Sequence, residues 1–340
     1  MSDAFDDYED WDESSVRIRA NPRGSRPRSK VRPSHEDAAP GLVIGVDRGR
    51  YRVHLPGAAA PITATAAREL GRGAVVVGDH VRLVGDTSGA EGSLARIVRV
   101  EPRTTLLRRS ADDAPTGERD ERVIVANADR MLIVVAAADP EPRAGLVDRI
   151  LVAAVDTGIE PILVVTKTDV ADASAFIRQF DWIRVVRSSL DEPPIDELRE
   201  LVDGHFVVAV GHSGVGKSTL VNALVPEAAR ATGDVNAVTG RGRHTSSSSS
   251  AYPVGDGWIV DTPGVRSFGL GLVDPEHVLG AFADLAAIAD DPEAGCPRGC
   301  THLPDAPDCA IVEAVAEGRL GPDGPSRLES LQRLLVQLSR

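Results

Sequence analysis

The run Gly211-His212-Ser213-Gly214-Val215-Gly216-Lys217-Ser218 constrains the fold more than any other part of the chain. An apolar stretch, residues 205–210, leads into it, and a run with helical character, residues 219–225, leads out until Pro226. Strand, G-x-x-x-x-G-K-[ST] turn and helix in that order make a phosphate-binding loop. Its glycines let backbone N–H groups turn inward at a helix N-terminus, where an anion is favoured. The expected phosphate contacts are Gly211, Ser213, Gly214, Val215, Gly216 and Thr219, with Lys217 reaching the β- and γ-phosphates and Ser218 offering its hydroxyl to Mg²⁺.

A second motif belongs with the first. Asp261-Thr262-Pro263-Gly264 follows a short apolar strand, residues 258–260, some forty residues beyond Lys217. D-x-x-G is weak alone but strong behind a phosphate loop at this distance. Asp261 is expected to hold Mg²⁺ and the Gly264 N–H to sense the γ-phosphate. A guanine-reading [NT]-K-x-D motif normally comes later still, yet no lysine lies beyond Lys217. The one match is upstream: Thr166-Lys167-Thr168-Asp169, directly after the apolar residues 161–165. There Asp169 can accept hydrogen bonds from guanine N1–H and the exocyclic amine, while the Lys167 stem covers the base. A carboxylate that must be paired rejects adenine by roughly 10⁴. Ser188 and Ser189 take the place of the loop that backs the base. The motifs therefore stand in circularly permuted order, an arrangement a sheet tolerates when its original ends lie close together.

Around these motifs the strands read as residues 123–126, 131–137, 162–166, 183–187, 206–210 and 258–260, with amphipathic helices at 146–156 and 195–202. Near-continuous Val/Ile/Leu strands with helical crossovers indicate a mainly parallel α/β sheet. Upstream, short strands at 42–46, 51–55, 75–77, 80–84 and 94–100 indicate a small β-barrel, for which an OB-fold is one common solution. Arg48, Arg50, Arg52, Arg96, Arg99 and Arg103 are read as a nucleic-acid face in preference to ordinary solvated charge. Downstream, Phe282, Leu285 and Ile288, then Leu328, Leu331, Leu334, Leu335 and Leu338, have helical spacing.

The fold expected is therefore multidomain: a charged tail over 1–38, a barrel over 39–110, a permuted α/β nucleotide domain over 111–272 and a helical metal-binding domain over 273–340. In the tail, residues 1–15 are acidic without a basic residue, and 16–33 basic without an acidic one. Such a segment buries too little apolar surface to fold. It reads equally as a solvated tail or an RNA-contacting arm. The net charge of −13 excludes a uniformly basic protein but not local basic patches. Only three of 38 basic residues are lysines, and Lys167 and Lys217 both fall in nucleotide motifs. With no apolar run of membrane-spanning length, a cytoplasmic monomer without membrane contact is expected.

All three cysteines fall in Cys296-Pro-Arg-Gly-Cys300-Thr-His302, followed by Cys309. With His302 they complete a Cys₃His set for one tetrahedral Zn²⁺, and four protein ligands leave no open position for catalysis.

Residues 40–320 resemble the RsgA (YjeQ) family of small-ribosomal-subunit biogenesis GTPases. The resemblance rests on Asn127-Ala128-Asp129, Asp148-Arg149, the base motif, the phosphate loop, Gly240-Arg241-Gly242-Arg243-His244-Thr245, Asp261-Thr262-Pro263-Gly264-Val265-Arg266 and the cysteine cluster. It implies an OB-fold, a central permuted GTPase domain, a zinc-binding helical domain, and GTP hydrolysis stimulated by the 30S subunit as a late maturation checkpoint, with that subunit and its 16S rRNA as partners. Thr166 stands where Asn is more usual, and the cysteine spacing differs slightly from the commoner pattern.

Val265 occupies the position at which Ras-like proteins carry a water-orienting glutamine. It can neither donate nor accept a hydrogen bond, so His244 is the expected catalytic residue, against the alternative of a solvated loop histidine. Thr245 or Ser246 would add a hydroxyl ligand to Mg²⁺. Competing readings are a P-loop ATPase or kinase, and a nucleic-acid module with a vestigial nucleotide site.

Overall fold

The computed structural model describes residues 35, 37–71, 73–109, 122–226, 249–262 and 273–338. The chain first builds β1 (Ala39–Asp47) and β2 (Arg50–His54) as a hairpin. Arg48 and Gly49 both take positive φ at its two-residue turn, which matches the twist of the strands they join. Then come β3 (Ile62–Ala66), β4 (His80–Gly85) and β5 (Ala95–Val100). β1 pairs with both β2 and β4, β2 with β3, β3 in parallel with β5, and β5 with β4, so the five strands close into an OB-type barrel. Val43, Tyr51, Val53, Ile62, Val81, Leu83 and Ile97 fill it.

The third barrel strand differs from expectation. Residues 75–77 are buried but contribute only an isolated bridge, Val77 to Val125. The strand is Ile62–Ala66, whose threonines and alanines give little apolar signal although Ile62 and Ala64 point inward. Residues 123–126 also depart from the parallel sheet assigned to them. β7 (Arg122–Ala126) pairs antiparallel with β6 (Leu106–Arg109) in a separate two-stranded ribbon.

The main sheet follows as β8 (Arg130–Ala136), β9 (Glu160–Thr166), β10 (Arg184–Arg187), β11 (Phe206–Val210), β12 (Ser250–Val254) and β13 (Gly257–Asp261). Its order is β10-β9-β8-β11-β13-β12, all parallel except β12. Strand alternation divides the core. Met131, Ile133 and Val135 face one side, where α1 (Ala144–Asp156) packs; Leu132, Val134 and Ala136 face the other, towards α3 (Ile195–Val202) and α4 (Lys217–Leu224), α2 (Ser174–Arg178) being a short helix between. Both faces are covered, which is why these strands lack polar positions.

The later helices are α5 (Pro275–Val278), α6 (Ala283–Ala289), α7 (Ala310–Ala316) and α8 (Gly324–Leu338). Val278, Leu285, Ile311, Leu331 and Leu334 join the core on the α1 side. Each such side chain contributes about 1.5–3 kcal/mol on burial, so these helices are part of the sheet's packing. No helix among the described residues is long and apolar enough to cross a membrane.

The Asn127-Ala128-Asp129 run is a joint. Asn127, at φ 56°, donates through Nδ2 to the Gly78 carbonyl at 2.8 Å and accepts the Thr104 N–H at 2.8 Å. Asp129 accepts the Phe206 N–H at 3.0 Å, tying the ribbon's exit to β11. A Cβ on Gly78 would stand 1.9 Å from the Ala126 carbonyl oxygen, so only glycine fits at this crossing. Arg103 is held here too. It grips Asp79, fully buried, through two bonds of 2.7 and 2.8 Å, which removes it from the exposed arginine face expected of it.

Candidate nucleotide site and zinc centre

β11 ends at Val210 and the chain turns at Gly211, where a Cβ would lie 2.2 Å from the Val134 carbonyl oxygen of β8. Gly214 and Gly216 hold φ of 83° and 93°, which L side chains rarely adopt. The loop therefore lies tight against the sheet and opens directly into the N-terminus of α4. Ser213 and Thr219 are exposed, whereas Val215 is buried. Lys217 is only 6% exposed and donates from Nζ to the carbonyls of Gly211 at 2.7 Å and His212 at 2.8 Å. Burial pushes its amine below the usual lysine range, with Asp261 opposing the shift.

Asp261 closes β13, and Ser218 donates to its Oδ2 at 3.1 Å. Burial raises the Asp261 carboxyl, countered by Ser218 and Lys217. The two groups expected to share a magnesium ion are thus adjacent and oxygen-bearing, the donor chemistry a hard cation takes. Thr262 was not singled out in the sequence. Its hydroxyl, buried, donates to the Ala209 carbonyl at 2.7 Å and fastens the motif to the strand that feeds the phosphate loop. A hydroxyl residue directly after a strand-ending aspartate was the available signal.

The upstream base motif arrives beside the phosphate loop. Thr166 is buried at the end of β9, and its Oγ1 lies 2.6 Å from the Val215 carbonyl oxygen and 3.1 Å from that of Val135. Threonine at this position straps the base loop to the phosphate loop. Lys167, at φ 55°, donates to the Asp139 carbonyl. Asp169 accepts the Leu190 N–H at 3.4 Å, a long bond that leaves the carboxylate available. Ser188 is buried and donates its N–H to Val165 at 2.8 Å; its carbonyl receives the Thr168 N–H at 3.3 Å. Ser189 Oγ accepts the Glu192 N–H at 3.0 Å. All these groups follow the C-terminal ends of parallel strands, where open α/β sheets bind ligands. Gly264, His244, Thr245 and Ser246 lie outside the described residues.

The cysteines converge as well. Cys296 Sγ is 3.9 Å from Cys309 Sγ, and each is 3.7 Å from His302 Nδ1. With Cys300 the four ligand atoms all lie within 4.8 Å of one another. Ligands on a zinc tetrahedron stand about 3.4–3.8 Å apart, and Cys296, Cys309 and His302 stand close to that spacing. Burial lowers the His302 pKa, Asp290 opposing, and favours the neutral imidazole that metals bind. The Cys296 N–H donates to the Ala289 carbonyl at 2.9 Å, and Cys309 caps α7, so the loop is anchored at both ends.

Comparison with known proteins agrees with this geometry. The family model described as RsgA GTPase matches residues 100–271. The small ribosomal subunit biogenesis GTPase RsgA of Pseudomonas aeruginosa is 37% identical over 225 residues, 63% of this chain; the match spans 64% of that relative's length. The protein of the same name from Chlorobaculum parvum is 33% identical over 285 residues, 82% of this chain and 89% of its own. Among solved structures, YjeQ from Thermotoga maritima matches with a TM-score of 0.64 at 23% identity, over 88% of this chain and 98% of its own. YloQ, described as a circularly permuted GTPase, matches with a TM-score of 0.64 at 22% identity, over 91% and 98%. A base motif that precedes its phosphate loop yet is bonded to it by Thr166 is the mark of such a permuted sheet, and the chain belongs to the RsgA GTPase family.

Proposed function

We propose that this chain binds GTP, hydrolyses it to GDP and phosphate, and acts in the cytoplasm as a monomer on the maturing 30S subunit, with turnover stimulated by that subunit. The observation that carries the reading is the bond between Thr166 and the Val215 carbonyl, which makes the base-reading and phosphate-holding loops one unit. Asp169 pairs with the guanine edge, Lys167 covers the base, and Ser188 and Ser189 back it. Lys217 exchanges the carbonyls of Gly211 and His212 for phosphate oxygens. Ser218, Asp261 and the hydroxyl of Thr245 or Ser246 would hold Mg²⁺, which would supply charge neutralisation for phosphoryl transfer. His244 orients the water that attacks the γ-phosphorus as the bond to the β-γ bridging oxygen breaks. Cys296, Cys300, His302 and Cys309 would hold a structural Zn²⁺, which would cross-link the helical region. Arg48, Arg50 and Arg96, exposed on the barrel, suit contact with 16S rRNA.

The test is co-sedimentation with 30S subunits in GDP, GTP and a non-hydrolysable GTP analogue, combined with competition by ATP. Binding that depends on the nucleotide, and GTP displaced by GDP but not by ATP, is expected. Equal competition by ATP would remove the base assignment, and no association with 30S in any nucleotide state would remove the partner.

A further inference from the structure

Along β2, Tyr51 and Val53 point into the barrel while Arg52 and His54 point out of it. Outside, they meet the last strands of the nucleotide-binding sheet. The rings of His54 and Trp258 stand 5.2 Å apart at their centroids, and Arg52 Nη2 donates to the Ser250 hydroxyl at 3.3 Å. The strand registers turn the second contact into a rung. Arg52 lies opposite Gly45 in β1, Gly45 opposite Ser250 in β12, Ser250 opposite Asp261 in β13, and Asp261 opposite Ala209 in β11. An exposed barrel arginine is thus three strand steps from the carboxylate that Ser218 touches.

Gly45 is part of this arrangement for an unusual reason. Its φ is not in the left-handed range, so the backbone does not require glycine. A Cβ there would stand 2.7 Å from Nε and 2.9 Å from Nη2 of Arg52. The missing side chain lets the guanidinium cross β1 and reach Ser250. The Gly45–Ser250 pair is the one point of strand register between β1 and β12 among the described residues. One backbone pair and one side-chain bond therefore set how the barrel meets the start of β12.

We propose that Arg52 is a positioning residue for the nucleotide site: by crossing Gly45 to hold Ser250, it fixes the start of β12 and with it the rung on which Asp261 stands beside Ser218. The proposal rests on the GTP-hydrolysing reading above, and adds to it a residue of the barrel that acts on turnover through the sheet.

Arg52→Ala removes the guanidinium, and Gly45→Ala displaces it while leaving Arg52 in place. Each is expected to leave KM for GTP within about twofold, lower kcat about three- to tenfold, and raise the Mg²⁺ concentration for half-maximal turnover by a similar factor. Arg52→Lys, which keeps a cationic donor, is expected to recover part of the loss. Hydrogen exchange of the segment 249–254, measured on the full chain without nucleotide, is expected to quicken in both alanine variants. Wild-type Mg²⁺ dependence in both variants, or a kcat loss that merely follows a lowered Tm, overturns the proposal. Unchanged exchange at 249–254 overturns it without reference to catalysis. Absent GTP turnover in the wild type counts against the enzymatic reading alone, since the exchange experiment still judges the contact.

Discussion

Asp148 in α1 accepts the hydroxyl of Ser330 in α8, 182 residues later in the chain. Arg333 approaches the same carboxylate at 3.7 Å and donates to Ser330 at 2.8 Å, while Arg327 lies near, held by Asp284 and stacked on Trp182. Burial outweighs these partners and pushes the Asp148 carboxyl from 3.8 up to about 6. The folded chain therefore holds a proton that the unfolded chain has released between those two values. Stability from this group is full below the lower value and lost as pH rises through the upper one, a span worth about 2–3 kcal/mol. Asp148→Asn keeps an acceptor for Ser330 and cannot ionise. Its stability relative to wild type, from urea unfolding, should rise by about 1.4 kcal/mol between pH 5 and 7.5. A difference that does not change with pH would show that burial does not govern this carboxylate.

Asp169→Asn tests the base motif. The amide cannot accept both guanine hydrogen bonds, so GTP affinity should fall by about 100-fold or more. Xanthosine triphosphate, whose C2 oxygen accepts an amide donor, should bind the variant better than the wild type. Competition between the two nucleotides measures both effects, and undiminished GTP binding would put guanine recognition elsewhere.

Cys300→Ser should remove about one zinc per chain, since the ligand set closes around a single ion. Because metal-binding free energy at such sites is also folding free energy, α6 and α7, which flank the cluster, should lose protection from hydrogen exchange. Nucleotide affinity should stay within about twofold, as no ligand belongs to the base or phosphate loops. Elemental analysis finding no metal in wild-type protein purified without chelator would refute the centre.

His244→Ala should reduce 30S-stimulated turnover by about 10³-fold, the scale on which an ordered catalytic group acts in phosphoryl transfer. GTP affinity, measured by equilibrium titration, should be little changed. Full stimulation of the variant would assign the catalytic group to the ribosome.

How much of this could be read from the sequence depended on where each element gets its stability. β8, β9 and β11 are apolar because both faces are covered, so they announce themselves. The phosphate loop, the base motif and the zinc ligands are fixed by chemistry at set spacings. β3 and β12 were missed because Ile62–Ala66 and Ser250–Val254 carry small and polar residues and owe their strand form to their neighbours. Thr166 stands where Asn is more usual, and the sequence offers no reason; in the structure its hydroxyl meets the Val215 carbonyl, a partner 49 residues away that no local pattern reveals. Arg103 looked like part of a binding face until Asp79, buried beside it, was placed.

The contact between β1 and β12 bears on self-association. An outermost strand offers unpaired N–H and C=O groups to any extended chain that comes near. β12 would be such a strand, but the barrel stands against it at Ser250, and Pro253 within it has no N–H to offer. The barrel itself is sealed where β4 returns to β1. At the opposite end of the series β10 is four residues long, with exposed Arg184 and Arg187 at its limits. A sheet with β12 left open would invite edge-to-edge aggregation, and the barrel that brings arginines to the surface also serves as its stopper.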